Sequence, residues 1–390
     1  MGPLEVEMPG PGDVLELIRE RRALTRGDVL DVTGLSRMTV ATRIDALLEA
    51  GLIVESGTEK VAAGRPSRRL EFNTGHAHVL AANVDTTHTT VALTDLAGRV
   101  MVEERVDVAV ADGPDVTLNA IAERGGRLLQ RSGITRDRVA AIALSIPGPV
   151  DPDTQRPSQP PIMPGWDAYP IPDHLDSALG VPVLVSNDAD AAALGEQRAA
   201  HPDSRALCFL KVSSGIGTGI VLGGRVYRGA DGGAGDIGHV KISGHGDLLC
   251  QCGAHGCLAA AASGRAVARA LTALGKEASS ASDVGAYLAD GDPDAARLTQ
   301  EAGRVIGEVV ATVVSLLNPS EVVVGGKLAS PALLAGVRET LYPRSLPRAT
   351  RHLTISQSTL GDRATAVGLA AMVVEREYSA SAVDLALARI

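Results

Sequence analysis

Aromatic residues are scarce in this chain: only 2% of its 390 residues are Phe, Trp or Tyr, and there is a single Trp. A stacking platform for sugars or bases would have few side chains to draw on, so the core must be built from Val, Leu, Ile and Ala. Long apolar runs are missing too. No stretch approaches the roughly 18 residues of a membrane span, and the sequence predicts a soluble, cytoplasmic protein with no membrane partner. Cysteine occurs four times, and nothing near the N-terminus reads as a secretory signal, which argues against a disulfide framework. Positive charge is in deficit. A net charge of −9 excludes broad nucleic-acid affinity but leaves room for a small basic surface. The hydrophobic fraction of 45%, with 21% charged residues, is that of an ordinary globular protein, and the length suggests two or three domains.

Three of the four cysteines fall in one segment, IGHVKISGHGDLLCQCGAHGCLAAAAS, residues 237–263. Cys250, Cys252 and Cys257 form a C-x-C-x4-C array with His239 upstream, which supplies the three sulfurs and one nitrogen of a closed, structural zinc site. His245 and His255 lie in the same stretch and are rival nitrogen ligands. A disulfide is the alternative, but cysteines next but one to each other make a strained pair.

Residues 12–56 read as helix, helix, tight turn, helix. Val14, Leu15, Leu17 and Ile18 give the first an apolar face, Arg26–Val32 fits a second, and Thr33-Gly34 makes the turn. Ser36 can cap the third helix, whose apolar positions Val40, Ile44, Leu47 and Leu48 follow helical spacing up to Gly51. Its outward residues Ser36, Arg37, Thr39, Thr42 and Arg43 are polar or basic, and no acid appears before Asp45. A major-groove reader needs such a face, because acids there would repel phosphates; the alternative is a solvated helix of an ordinary bundle. Residues 52–54 and 69–72 then read as two strands around GTEKVAAGRPSRR, a basic wing. Arg65, with Pro66 and Arg68 beside it, suits a narrow minor groove, where the potential is most negative. A plain solvated linker is the competing description of this stretch.

From His76 onward strands and helices of an α/β type follow. Strands are expected at 79–84, 90–94 and 99–108, a helix at 118–132, and an apolar strand at 139–146 ending in Pro147-Gly148-Pro149. Another strand at 181–185 delivers Asn187-Asp188 at its carboxyl end, where α/β folds place ligands. A second unit has a strand at 207–212, a glycine-rich turn over 213–219 continuing as a strand at 220–222, helices at 261–274, 281–289 and 295–317, a strand at 322–324, and a helix at 365–377.

The ordered set of motifs resembles the ROK family of repressors, open reading frames and kinases, and within it the winged-helix transcriptional regulators. The matching residues are the N-terminal helix-turn-helix with its GRP wing, Pro147-Gly148-Pro149-Val150-Asp151-Pro152, Gly165-Trp166, Asn187-Asp188, and Gly215-x-Gly217-x-Gly219. Ala234-Gly235-Asp236-Ile237-Gly238-His239, the cysteine cluster, Asn318-Pro319 and Gly325-Gly326 complete it. The resemblance implies a winged head followed by a two-lobed ribonuclease-H/actin-like, sugar kinase-like domain with a structural zinc site. The expected divisions are a DNA-binding domain at 1–74, a first lobe at 75–188 completed by a C-terminal helix at about 376–390, and a second lobe at 189–375.

Two functions come with the family, a sugar kinase and a sugar-responsive repressor. Asp188 sits where the family's catalytic base does. The family's first phosphate loop, Asp-x-Gly-Gly-Thr, however, appears as Asp85-Thr86-Thr87-His88-Thr89, and branched side chains block the close backbone approach that glycine allows. With the head, this favours a regulator that is not an enzyme. The resemblance implies an effector contacted by Asn187, Asp188, Asp236 and His239, a sugar or sugar derivative bound between the lobes. Ile162, the shorter Asp236 and Ala259 replace polar partners of the family pattern, so the pocket either suits a different ligand, such as an amino sugar or oligosaccharide, or has lost its response. The expected assembly is a homodimer or tetramer on an inverted-repeat operator of carbohydrate genes, with Arg37 and Thr39 on base edges, Thr42 and Arg43 on bases or phosphates, and Arg65 in the minor groove.

Overall fold

The computed structural model describes residues 8–59 and 67–389. Arg65 and Pro66 lie outside the described residues.

The head starts with α1 (Pro11–Arg19), where proline in the first turn loses no hydrogen bond and Val14, Leu15, Leu17 and Ile18 turn inward. α2 (Arg26–Thr33) opens on a reciprocal cap: the Thr25 hydroxyl accepts from the Asp28 amide at 3.2 Å and the Asp28 carboxylate accepts from the Thr25 amide at 2.8 Å. It stops at Gly34, which takes the left-handed φ of +67° that a tight exit requires. The Ser36 hydroxyl then accepts from the Thr39 amide at 3.1 Å and caps α3 (Arg37–Glu49), which buries Val40, Ile44 and Leu47. β1 (Ile53–Glu59) and β2 (Ser67–Phe72) pair antiparallel as the wing and add Ile53 and Leu70 to the same core.

Two five-stranded sheets of one design follow. In the first, β3 (His78–Val84), β4 (Thr89–Asp95) and β5 (Val100–Val106) form an antiparallel meander. After α4 (Pro114–Ser132), β6 (Val139–Ile146) pairs parallel to β3, and after α5 (Ile171–Leu179), β7 (Val183–Asn187) pairs parallel to β6. α6 (Asp188–Ala199) leads to the second sheet, where β8 (Ala206–Val212), β9 (Ile216–Leu222) and β10 (Arg225–Val226) repeat the meander. Helices α7 (Leu258–Ala262), α8 (Gly264–Ala273), α9 (Ala281–Ala289) and α10 (Pro293–Leu317) then precede β11 (Glu321–Gly325), which is parallel to β8. α11 (Pro331–Arg344) and the short α12 (Pro347–Thr350) connect to β12 (Thr354–Gln357), which is parallel to β11. Parallel strands need such helical crossovers, and their carboxyl ends in both sheets point into one cleft.

The chain ends with α13 (Arg363–Glu377) and α14 (Ala380–Leu387). α13 lies on β3, β4 and β6 of the first sheet and crosses α6, which lies on β8 and β9 of the second. The two helices therefore join the lobes. Their crossing is close because small residues meet there: a Cβ on Gly368 would fall 1.7 Å from the Ala191 carbonyl oxygen, and one on Gly195 would fall 1.9 Å from that of Ala364.

Three expectations are corrected. The helix that completes the first lobe is α13, not a segment at 376–390. α14 instead docks on α1, where the Gly12 amide donates to Asp384 Oδ1 at 2.7 Å, because eight residues with little beyond Val383 buried have too small a face to cover a sheet. The helix expected at 261–274 is two helices, broken at Ser263, whose extended backbone lets the Gly264 amide donate to the Ser213 carbonyl at 2.8 Å. The glycine-rich turn is shorter than expected, since β9 begins at Ile216 and pairs Gly217 with Lys211 and Gly219 with Phe209. Among the described residues no helix is long and apolar enough to cross a membrane.

Candidate functional site

The structure brings the expected residues together at three places. On the head, Arg37, Met38 and Thr42 are exposed along one side of α3. Ser36 and Thr39 are partly committed to the helix cap, their hydroxyls 2.8 Å apart, and the Thr42 hydroxyl donates to the Met38 carbonyl at 3.1 Å, which leaves its methyl group outward. Arg43 is half-buried, and its Nη1 has no hydrogen-bond partner among the described residues. Arg68, on the wing strand, donates to Glu55 at 2.9 Å, so a phosphate there would compete with a carboxylate. Met38 is 81% exposed and went unnoticed in the sequence. Its position four residues before Thr42, off the buried Val40–Ile44–Leu47 stripe, was a usable signal.

The second place is the cleft, a cavity of about 550 Å³ between the lobes, lined by Asn187, Asp188, Asp236 and His239 together with Ile162 and Ala259. Asn187 does structural work: its Oδ1 accepts from the Ala189 amide at 2.8 Å and caps α6, while its Nδ2 donates to the Gly148 carbonyl at 3.0 Å. Asp188 is buried, and one of its oxygens accepts from the ammonium of Lys211 on β8. Burial works to lower the Lys211 ammonium, but the carboxylates of Asp188 and Asp85 outweigh it and hold it above its ordinary value. Burial likewise works to raise Asp85, yet Lys211 and the Thr86 amide hold its carboxyl below the usual range. Asp236 is pushed up by burial, with His239 opposing. Lys211, too, went unnoticed in the sequence.

The turn Asp85–Thr89 closes between β3 and β4 with the Asp85 amide donating to the His88 carbonyl at 2.8 Å, and Thr86 reaches across the cleft to the Ser214 hydroxyl at 2.8 Å.

The third place adjoins the cleft wall. His239, Cys250, Cys252 and Cys257 offer ligand atoms that all lie within 4.8 Å of one another, a group able to hold a metal ion; His245 and His255 are not part of it. Cys250 Sγ is 3.9 Å from His239 Nδ1, and Cys252 Sγ is 3.7 Å from Cys257 Sγ.

The winged helix-turn-helix DNA-binding family matches residues 12–54, and the ROK family matches residues 79–376. The chain belongs to the ROK family. It is 27% identical over 378 residues to a putative xylose repressor of Caldicellulosiruptor sp. strain Rt8B.4, with 93% of this chain and 94% of that protein covered. The crystal structure of a ROK family transcriptional regulator homologous to E. coli Mlc matches with a TM-score of 0.81 and 27% identity, covering 97% of this chain and 98% of that one. A ROK family glucokinase from Streptomyces griseus, solved with glucose and AMPPNP, matches with a TM-score of 0.67 and 26% identity, covering 76% of this chain and 99% of that one. The fold is therefore the sugar-kinase-like ROK fold with a winged head in front.

Beyond Asp188, the first turn of α6 faces a second cavity, of about 390 Å³, where Asp190 meets Arg228 and the head residues Glu16 and Arg19. Burial pushes Asp190 up to about 7, Arg228 opposes at 3.8 Å, and Asp188 and Asp236 add to the rise. An acid raised by folding contributes its full share of stability below its unfolded value, and loses that share as pH climbs through the folded one. Asp190→Asn is therefore expected to flatten the decline between about pH 4 and 7 and to stabilise the protein at pH 8 by on the order of 1 kcal/mol. Denaturation midpoints across pH check this; parallel wild-type and variant curves would refute it.

Proposed function

We infer that this protein is a sequence-specific DNA-binding transcriptional regulator, most simply a repressor of carbohydrate-utilisation genes, whose cleft takes a sugar or sugar derivative. The observation that carries the reading is the head: α3 presents Arg37, Met38 and Thr42 outward with no acid before Asp45, on a domain absent from the matched length of the kinase relative. The likeness to a putative xylose repressor and a ROK transcriptional regulator across nearly the full chain supports it. Arg37 and Thr39 read base edges, Met38 gives a thymine methyl an apolar surface, Thr42 and Arg43 contact bases or phosphates, and Arg65, Pro66 and Arg68 of the wing reach the backbone and minor groove. As a homodimer, or a tetramer of two such pairs, the protein sets two heads on an inverted repeat. Acting on DNA places it in the cytoplasm.

The cleft favours sensing over catalysis. Thr87 and His88 stand where the family's first phosphate loop has glycines, and Asp188 is already engaged by Lys211. Ile162 and Ala259 leave an apolar patch facing Asp188, Asp236 and His239, a shape suited to a sugar carrying an acyl or glycosyl substituent. Zinc held by the His239–Cys250–Cys252–Cys257 group would be structural, because four protein ligands would leave no open position. Zn–S bonds of about 2.3 Å in a tetrahedron put sulfurs about 3.8 Å apart, and Cys252 and Cys257 stand 3.7 Å apart. With its Nδ1 on the side of Cys250, His239 would tie a metal held there to the cleft wall and leave Nε2 for a ligand.

Selection of genomic fragments by the full-length protein, followed by footprinting, tests the reading. Arg37→Ala is expected to weaken the selected site by roughly tenfold or more and to relax its sequence. Bound DNA is then challenged with D-xylose, D-glucose and N-acetyl-D-glucosamine. Failure to enrich any sequence would sink the regulator; an ATP-dependent phosphorylation of one of these sugars, abolished by Asp188→Asn, would replace it with a kinase.

A further inference from the structure

A cleft that transfers phosphoryl groups needs its carboxylates free to face a metal bound to nucleotide phosphates. Here they are not free. Lys211 stands on β8 of the second lobe with its side chain 18% exposed, and its ammonium reaches across to Asp188, which follows β7 of the first. Asp85, at the end of β3 in that same first sheet, lines the same cavity as Lys211 and accepts from the Thr86 amide at 2.6 Å and hydroxyl at 3.2 Å. Thr86 in turn meets Ser214 of the second lobe at 2.8 Å. A flexible four-carbon stem carrying one compact charge is well suited to this span.

The geometry points to Lys211 as a built-in cation that occupies the place of a nucleotide-bound metal and ties the two lobes across the inner end of the cleft, an assignment that rests on reading the cleft as a sensor. The residues therefore do not fit a metal–nucleotide group. Asp188 is held by a charge that belongs to the chain and Asp85 lines the same cavity, so a divalent ion arriving between the two carboxylates would meet like charge at close range. The sensor closes its inner end without nucleotide, and a neutral sugar needs only the outer wall of Asp236, His239 and the free oxygen of Asp188.

Removing the ammonium leaves the buried carboxylate of Asp188 and the half-buried one of Asp85 lining one cavity without it, which is the condition for a divalent site. Full-length, zinc-loaded protein is titrated with Mn²⁺, free Mn²⁺ being followed by electron paramagnetic resonance. Lys211→Met is expected to take up one Mn²⁺ per chain at least roughly tenfold more tightly than wild type, and to lose that uptake on adding Asp85→Asn. Mn²⁺ should also raise the melting temperature of the Lys211→Met protein and leave that of wild type unchanged. Lys211→Gln, which keeps a donor for Asp188 but no charge, serves the same titration if the Met variant does not fold. Equal Mn²⁺ uptake by wild type and the variants, or uptake that survives Asp85→Asn, would overturn the assignment. DNA selection by wild type is unaffected by either outcome, so the two readings fail separately.

Discussion

Gly368→Val is expected to lower the stability of the protein by about 3 kcal/mol or more, the upper end of what overpacking costs in a closed core. The site is not a cavity with slack. A Cβ at Gly368 falls 1.7 Å from the carbonyl oxygen of Ala191, so backbone, not a flexible side chain, is in the way. Gly195 stands in the same position on the other helix, where a Cβ would fall 1.9 Å from the Ala364 oxygen, and neither helix can retreat from the other without leaving its own sheet. The consequence reaches function, because α6 starts at Asp188. Pushing α6 aside moves the carboxylate that Lys211 holds and the wall shared by both cavities. Urea denaturation followed by the fluorescence of Trp166, which is fully buried, reads the change. Gly126→Ala on α4 is the control, since nothing lies within 4 Å of its added methyl group and the substitution is expected to be neutral or slightly stabilising. Equal midpoints for Gly368→Val and Gly126→Ala would show that the crossing can relax.

Much of the fold was legible because local signals agreed with the tertiary outcome. The strand expected at 139–146 spans Val139–Ile146, an almost continuously buried apolar run, and the helix expected at 281–289 spans Ala281–Ala289, opened by the Ser280 cap. The losses have physical causes. α11 combines Gly336 with Pro343 near its end, and β12 has only four residues, so neither carries a strong period, although Ser330-Pro331 is a readable helix start. Ser263 divides α7 from α8 through a long-range hydrogen bond from Gly264 to Ser213, which no local pattern contains. The identity of the helix covering the first sheet was lost for a related reason: α13 has small residues on both sides, Ala364, Gly368 and Ala370 among its buried ones, so its face could not be assigned from hydrophobicity.

The site divides in the same way. Residues that carry their chemistry in their type and spacing, the three cysteines and His239, were readable, and the structure gathers them into one group. Those whose role comes from a partner far away in the chain were not. Lys211 looks like one polar residue in an apolar strand, LCFLKV, and only the 23-residue separation closed by the fold pairs it with Asp188. Asn187 shows the converse: its type suggested a ligand contact, while the structure spends its amide on capping α6 and holding Gly148.

Cys257→Ser is expected to empty the proposed zinc site and to weaken any sugar response by roughly tenfold to a hundredfold, the range for losing a group that orients a metal or its neighbours. The segment carries no helix or strand of its own. Between Val240 and Cys257 isolated bridges join Lys241 to Cys257 and Leu249 to His255, backbone hydrogen bonds such as Ile242 to Gly256 at 2.9 Å and Cys250 to Ala254 at 2.8 Å close its turns, and the local apolar cluster consists of Cys250, Cys257 and Ala260 with Leu248 and Ala254 packed on it. Burial pushes the Cys250 thiol up to about 11, so its thiolate needs a nearby cation, and the Lys241 ammonium already donates to Cys257 Sγ at 3.1 Å. A divalent ion would serve all three sulfurs at once. His239 would lose its anchor with the metal, and with it the position of Nε2 at the cleft. Elemental analysis of the purified proteins should give one zinc per chain for wild type and for Cys208→Ser, whose sulfur is buried on β8 outside the cluster, and none for Cys257→Ser. A zinc chelator should lower the melting temperature of wild type and of Cys208→Ser but not that of Cys257→Ser, and operator binding without sugar should persist, since α3 belongs to a separate element of the chain. One zinc per chain in Cys257→Ser, or an unchanged sugar response in its absence, would detach the metal from the sensor.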